Sequence, residues 1–211
     1  MLRSLLLATF AVVPAFAAVP SLKVPACPAK GSISYNLSVP DKAPFPRTDV
    51  DVCYDASAIH ITFTAHNETN FFVNKTFGTN DPIYMYTAME TFIALGTGDP
   101  QTYLEFEIAP NNVRADGAQF DTLYLQDPIG DGLTGVTKTD KPAKLWTSAV
   151  RIPLGLFNVD NGKAKGTQWR MNFFRIITSP KSFPDQFYGA WNPPSEANFH
   201  MTPFFGNVQF V

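Results

Sequence analysis

Tyr103-Leu104-Glu105-Phe106-Glu107-Ile108 alternates side-chain character with a period of two. In extended chain, successive side chains point to opposite sides, so Leu104, Phe106 and Ile108 share one face and Tyr103, Glu105 and Glu107 the other. The pattern recurs upstream. Ile59, Ile61 and Phe63 alternate with His60, Thr62 and Thr64, and Ile33, Tyr35 and Leu37 alternate with Ser32, Ser34 and Asn36. Further strands are predicted over Val50 to Tyr54, Tyr86 to Leu95, Asp121 to Gln126, Leu145 to Pro153, Thr167 to Ile176 and Asn207 to Val211. Turn formers separate nearly all of them: Asn80-Asp81-Pro82, Gly96 to Pro100, Pro110-Asn111-Asn112, Gly130 to Gly132 and Asn161-Gly162. No stretch holds a helical period beyond a single turn around Leu154-Gly155-Leu156-Phe157. Many short strands between turns predict an all-β fold, an antiparallel β-sandwich.

The chain starts with Met1-Leu2-Arg3, an uncharged apolar run from Leu5 to Val13, and Pro14-Ala15-Phe16-Ala17-Ala18. A basic start, a short apolar centre and small residues at Ala15 and Ala17 make residues 1–17 a signal peptide, with cleavage after Ala17. The run is shorter than the roughly 20 residues that span a bilayer, so export without a membrane anchor is expected. Residues 18–30, rich in Pro and Ala, read as a lead-in segment without its own structure, and residues 31–211 as one domain. Hydrophobic residues make up 45% of the chain and charged ones 16%, which suits a packed core rather than a disordered chain. The formal charge is −2 and Lys and Arg form no cluster, so nucleic acid is not an expected partner.

Two cysteines, Cys27 and Cys53, follow the leader, and an oxidising compartment predicts one disulfide between them, stabilising by roughly 3 kcal/mol. Asn36, Asn67 and Asn74 each open an N-x-[ST] sequon and are expected to carry glycans on the surface.

Nucleophile-elbow, P-loop, dinucleotide and H-E-x-x-H motifs are missing, which disfavours the common catalytic routes. His60, His66 and His200 do not stand at metal-ligand spacing. Glu90, Glu105 and Glu107 lie on neighbouring strand candidates and could work as a glycosidase pair, or form a polar strand face whose carboxylates meet Arg170, Arg175 or calcium. Tyr84, Tyr86, Phe187-Tyr188 and Trp191 cluster near turn signals. Sugars offer apolar C–H faces to aromatic rings and hydroxyls to polar groups, so exposed rings beside a polar strand face suit a glycan site, although such rings can equally cap a core.

Several segments in order resemble the family 9 carbohydrate-binding modules: Met89-Glu90-Thr91-Phe92-Ile93, Tyr103 to Asn112, Ala149-Val150-Arg151-Ile152-Pro153-Leu154, and Trp169-Arg170-Met171-Asn172-Phe173-Phe174-Arg175-Ile176. Ala190-Trp191-Asn192-Pro193-Pro194, Asn198-Phe199-His200 and Phe204 to Phe210 complete the match. The resemblance implies a jelly-roll or DOMON-like β-sandwich, often calcium-stabilised, in which two aromatic rings clamp a sugar and polar strand residues hold its hydroxyls. Carried over by position, Trp191 matches one clamp ring and Tyr84 stands where the other is a tryptophan. Glu90, Arg170 and Asn172 match polar contacts, with Glu105 beside them. The implied partner is a polysaccharide or oligosaccharide; such modules usually sit attached to xylanases or other hydrolases, and this chain departs from that in being expected to stand alone.

Three other readings stay open. One is a glycosidase using Glu90 with Glu105 or Glu107. Another is a haem-binding redox domain of the DOMON kind, with Met85 and His200 as axial ligands. The last is a protein-interaction surface.

Overall fold

The computed structural model describes residues 19–120, 123–125 and 132–211. The signal peptide, its cleavage point, and parts of the expected Asp121–Gln126 strand and Gly130–Gly132 turn lie outside the described residues. Thirteen strands lie within them: β1 (Ser21–Val24), β2 (Gly31–Leu37), β3 (Pro44–Tyr54), β4 (Ala58–Ala65), β5 (Ala88–Leu95), β6 (Thr102–Ile108), β7 (Arg114–Phe120), β8 (Leu123–Leu125), β9 (Thr134–Asp140), β10 (Leu145–Pro153), β11 (Gln168–Ile177), β12 (Phe187–Ala190) and β13 (Gly206–Phe210). The helical pieces among the described residues are single 3-10 turns at Ile83–Met85, Leu154–Phe157 and Thr202–Phe204.

The strands form two sheets. The larger runs β1-β13-β11-β5-β6-β7-β8, with β12 continuing alongside β11, and the smaller runs β2-β3-β4-β10-β9. Pairing is antiparallel except between β1 and β13. Residues 18–30 are therefore not unstructured, because Ser21–Val24 closes the edge of the larger sheet beside β13. The Cys27–Cys53 disulfide, with Cα atoms 5.2 Å apart, ties the chain just after β1 to β3.

The alternation at β4 and β6 does what its period dictates. Ile59, Ile61, Phe63, Leu104, Phe106 and Ile108 meet Trp146, Trp169, Met171 and Phe173 in the core between the sheets. The other face of the larger sheet is also covered. Phe92, Ala94, Tyr103, Phe174, Ala190 and Phe205 form a second core there, with Tyr188 and Phe199 packed on it. The cover is the segment after β12, residues 191–205. Every residue of β6 after Thr102 is consequently buried, Glu105 and Glu107 included. That cover turns a sheet face into a cavity.

Two buried polar residues hold the cover down. Arg170 Nε donates to the Phe205 carbonyl at 2.9 Å, and its other nitrogens reach the carbonyls of Gly98, Thr202 and Pro203. Asn172 Nδ2 donates to Asn192 O at 3.0 Å and to Phe204 O at 3.3 Å, and its Oδ1 accepts from the Asn192 N–H. A carbonyl-rich loop needs donors from beneath, and these two side chains supply them.

Candidate functional site

A cavity of about 380 Å³ lies between the outer face of β5, β6, β11 and β12 and the covering segment. This is within the size range of small-molecule sites. Its floor carries Glu90 from β5, Glu105 and Glu107 from β6, and Ile176 from β11. One side is the covering segment at Ala197, Asn198, Phe199 and His200; the other is Tyr84, Gln186 and Tyr188.

Hydrogen bonds fix the Tyr84 side of this mouth. The Tyr84 N–H donates to the Glu107 carboxylate, and the Tyr84 carbonyl accepts from Gln186 Nε2 at 2.6 Å. Gln186 Oε1 in turn accepts the Tyr188 phenol at 2.7 Å. The backbone of Tyr84 is thus held on both sides while the residue as a whole remains 48% exposed. An aromatic ring pinned at its root and open at its face is ready to stack.

The opposite wall is equally fixed. Phe199 stacks on Phe174 with ring centroids 4.0 Å apart and meets Tyr188 edge-on at 5.2 Å. His200 Nδ1 and the Tyr103 phenol are hydrogen-bonded at 2.7 Å, and the imidazole lies edge-on to Phe92. Packing against those rings desolvates the His200 imidazole and holds its pKa below the ordinary value.

The three carboxyls are buried, with Glu90 2%, Glu105 5% and Glu107 3% exposed. Burial first, then the charges of Glu107 and Glu105, pushes Glu90 well above the ordinary carboxyl range. Glu107 is raised by burial and by Glu105, with the Tyr84 N–H opposing the shift. Glu107 Oε2 is buried without a hydrogen-bond partner. Desolvation and like-charge crowding act in the same direction here.

Tyr84, Glu90, Glu105 and Glu107 are therefore brought together. Other expected contacts stand elsewhere. Tyr86 stacks on Phe183 at 5.2 Å and packs with Phe72 and Phe77, beside the cavity rather than in it. Trp191 lies 5.8 Å from Phe173, packs on the core between the sheets, and occupies the space that a side chain at Gly206 would fill. Arg170 and Asn172 grip the covering segment and do not line the cavity. Tyr188, one of the aromatics singled out near turn signals, does line the cavity, whereas Gln186, Asn198 and Phe199 are cavity residues to which the sequence reading gave no role. The only sequence signals for them are the Phe187-Tyr188 pair and the Asn198-Phe199-His200 segment.

The remaining expectations also have places. Asn36 and Asn67 are exposed and Asn74 is half-buried, its Oδ1 accepting from the Thr76 N–H and hydroxyl. No group of three or more His, Cys, Asp or Glu side chains among the described residues is arranged to hold a metal ion. Met85 is exposed outside the cavity, while His200 Nδ1 is engaged by Tyr103. The two therefore do not line one cavity. No helix among the described residues is long and apolar enough to cross a membrane.

No family model matches the chain. It is 44% identical over 222 residues to an extracellular protein of Arthroderma benhamiae, a match covering 100% of this chain and 99% of that one. Among solved structures, it is similar to a protein of Bacteroides uniformis described as carbohydrate-binding. That match has a TM-score of 0.70 and 15% identity, covering 92% of this chain and 100% of that chain. A family 9 carbohydrate-binding module of Caldicellulosiruptor kristjanssonii in complex with cellotriose superposes with a TM-score of 0.59 and 12% identity, over 90% of this chain and 93% of that chain. The same module in complex with glucose gives a TM-score of 0.60. At such identities the likeness is one of fold, and it is the fold that the sequence resemblance implies.

Proposed function

The chain belongs to the family of the Arthroderma benhamiae extracellular protein, and from that premise we propose that it is a secreted protein that binds carbohydrate without cleaving it. The observation that carries this reading is the mouth of the cavity, where Tyr84 presents an open ring above converging carboxyl, amide and phenol groups. A sugar ring placed there lays its C–H face on Tyr84 or Phe199, and its hydroxyls bond to Glu90, Glu105, Gln186, Tyr188 and Asn198. Arg170, Asn172 and Trp191 serve the site at one remove, by fixing the segment that forms the wall. The disulfide fits an oxidising, extracellular setting.

Calorimetric titration with glucose, cellotriose and a wider panel of oligosaccharides tests the reading. Binding is expected for at least one sugar, with a loss of about tenfold in Tyr84→Ala, since aromatic contacts contribute roughly 1 kcal/mol or more beyond the area they bury. A flat trace for every sugar overturns it.

A hydrolytic reading uses the same carboxyls. Glu90 and Glu107 are cross-strand partners, and side chains so placed share one face with their roots about 5 Å apart, which puts both carboxyls within reach of one glycosidic bond. It predicts release of reducing ends from a chromogenic glycoside panel, abolished in both Glu90→Gln and Glu107→Gln. Binding without such release assigns the cavity to recognition alone.

A further inference from the structure

The cavity is chemically one-sided. Glu90, Glu105 and Glu107 converge on it from adjacent strands, and none of its described lining residues is Lys or Arg. Arg175, the nearest buried guanidinium along β11, is on the opposite face of the sheet, engaged by Glu68 at 3.1 Å. Holding a neutral sugar does not need three buried carboxyls, and crowding them costs free energy unless something compensates. One of them is only half satisfied. Glu107 takes the Tyr84 N–H on one side, while its Oε2 is buried with no partner, in contrast to more than 90% of buried polar atoms in folded proteins. What the protein does not supply, a ligand can.

Building on the sugar-binding reading, we propose that the sugar this cavity takes carries a protonated amine, a hexosamine with a free amino group whose ammonium is held by Glu90, Glu105 and Glu107. An ammonium has three N–H donors and no acceptor, the complement of a cavity floor on which the charged groups are carboxyls. The apolar ring face is left for Tyr84 and Phe199. N-acetylation removes the charge and adds bulk, so the acetylated sugar loses the advantage.

Occupancy has a proton signature. Burial and mutual repulsion favour the neutral forms of Glu90 and Glu107, and an arriving ammonium favours their ionised forms, so protons leave to solvent as the ligand enters. The other titratable groups facing the cavity are Glu105 from β6, Tyr188 from β12, and Tyr84 and His200 from the flanking loops; Tyr103 lies behind His200. Burial and Glu90 raise the Tyr188 phenol, and burial lowers His200, so neither ionises further when a cation arrives near neutral pH.

The test is calorimetry on the whole secreted protein at neutral pH, in two buffers of different ionisation heat. The probes are glucose, glucosamine, N-acetylglucosamine and their β-1,4-linked trimers. Glucosamine is expected to bind about tenfold or more tighter than glucose, as charge-assisted hydrogen bonds allow. Its apparent heat should depend on buffer while that of glucose does not, and Glu107→Gln should remove both the preference and the proton release. Equal affinity for glucosamine and glucose overturns the amine inference and leaves the sugar reading standing. Tight glucosamine binding that survives Glu107→Gln without proton release also overturns it, placing the cation elsewhere on the surface. Silence from every probe removes the sugar reading as well.

Discussion

Glu90 on β5 lies directly opposite Glu107 on β6 in the antiparallel register, both buried beneath the segment that follows β12. Two like charges so placed oppose each other, and the fold favours protonated forms. In the unfolded chain both carboxyls ionise near the ordinary 4.5, whereas in the fold they ionise only well above it. Between those values the folded state binds more protons, so stability falls as pH rises. Asp49 and Asp55 act in the opposite sense. Burial pushes each up, but hydrogen bonds from Arg47, His66 and Ser34 to Asp49, and from His60 and Ser57 to Asp55, outweigh it and hold both low. Their contribution is lost as pH falls through those lowered values. The melting temperature is therefore expected to peak on the acid side, at about pH 5, and to decline toward alkaline pH. Glu107→Gln should flatten the alkaline decline and leave the acid limb unchanged; an unaltered alkaline limb would show that the pair does not carry it.

The wall of the cavity depends on a guanidinium that does not touch it. Arg170 donates to four carbonyls around the Thr202–Phe204 turn and the Gly98 loop. Arg170→Met keeps most of the side-chain volume and takes the guanidinium donors from the buried Phe205 carbonyl, at a cost of about 1–3 kcal/mol. Urea unfolding should register that loss. Sugar affinity should fall as well, because Phe199 and His200 ride on the released segment. Full affinity in a destabilised variant would mean that the wall is held by its aromatic contacts alone.

Most strands rest on features the sequence displays openly. Alternation at β2, β4 and β6 identifies the strands and their inner faces, and Leu145–Pro153 and the Leu154–Phe157 turn are found as the pattern predicts. β1, β7, β9 and β12 escape such a reading for physical reasons. β9 is an edge strand with a mostly exposed, polar pattern, β7 carries Asp116 and Gly117 within it, and β1 and β12 have four residues each. The candidate site is half legible. A polar strand face bearing Glu90, Glu105 and Glu107 follows from period two, but the cover that buries it does not, since residues 191–205 have no period. Arg170 and Asn172 have the chemistry of sugar ligands and the geometry of loop anchors, and only the positions of the carbonyls they meet separate those roles.

Between the sheets, Arg175 and Glu68 form an ion pair at 3.1 Å with both side chains fully buried. Arg175 also reaches the carbonyls of Arg47 and His66, and Glu68 Oε1 accepts the Asn70 and Phe71 N–H groups. Burial pulls the guanidinium below its ordinary pKa and Glu68 opposes that shift. Removing one partner strands the other charge, so Glu68→Leu alone is expected to cost about 3–5 kcal/mol. The double variant Glu68→Leu with Arg175→Met should cost less than the sum of the two single ones. A double-mutant cycle by denaturant unfolding measures the difference, and strict additivity would contradict the coupling.

Trp191 separates a clamp from a buttress. Its backbone N–H donates to the Phe173 carbonyl at 3.0 Å, its ring packs against Phe173, and Gly206 leaves the space the indole fills. A clamp ring contributes to affinity while leaving the fold alone, whereas a ring wedged between β11 and β13 contributes to the fold. Trp191→Ala is therefore expected to lower stability by about 3 kcal/mol, as large-to-small changes at packed sites do. Trp191→Phe should recover part of that loss by filling part of the cavity. Sugar affinity, measured well below the melting temperature of each variant, should change far less than in Tyr84→Ala. The reverse ordering, with stability intact and binding abolished, would move the indole from the core to the ligand and require the 191–205 segment to rearrange when sugar binds.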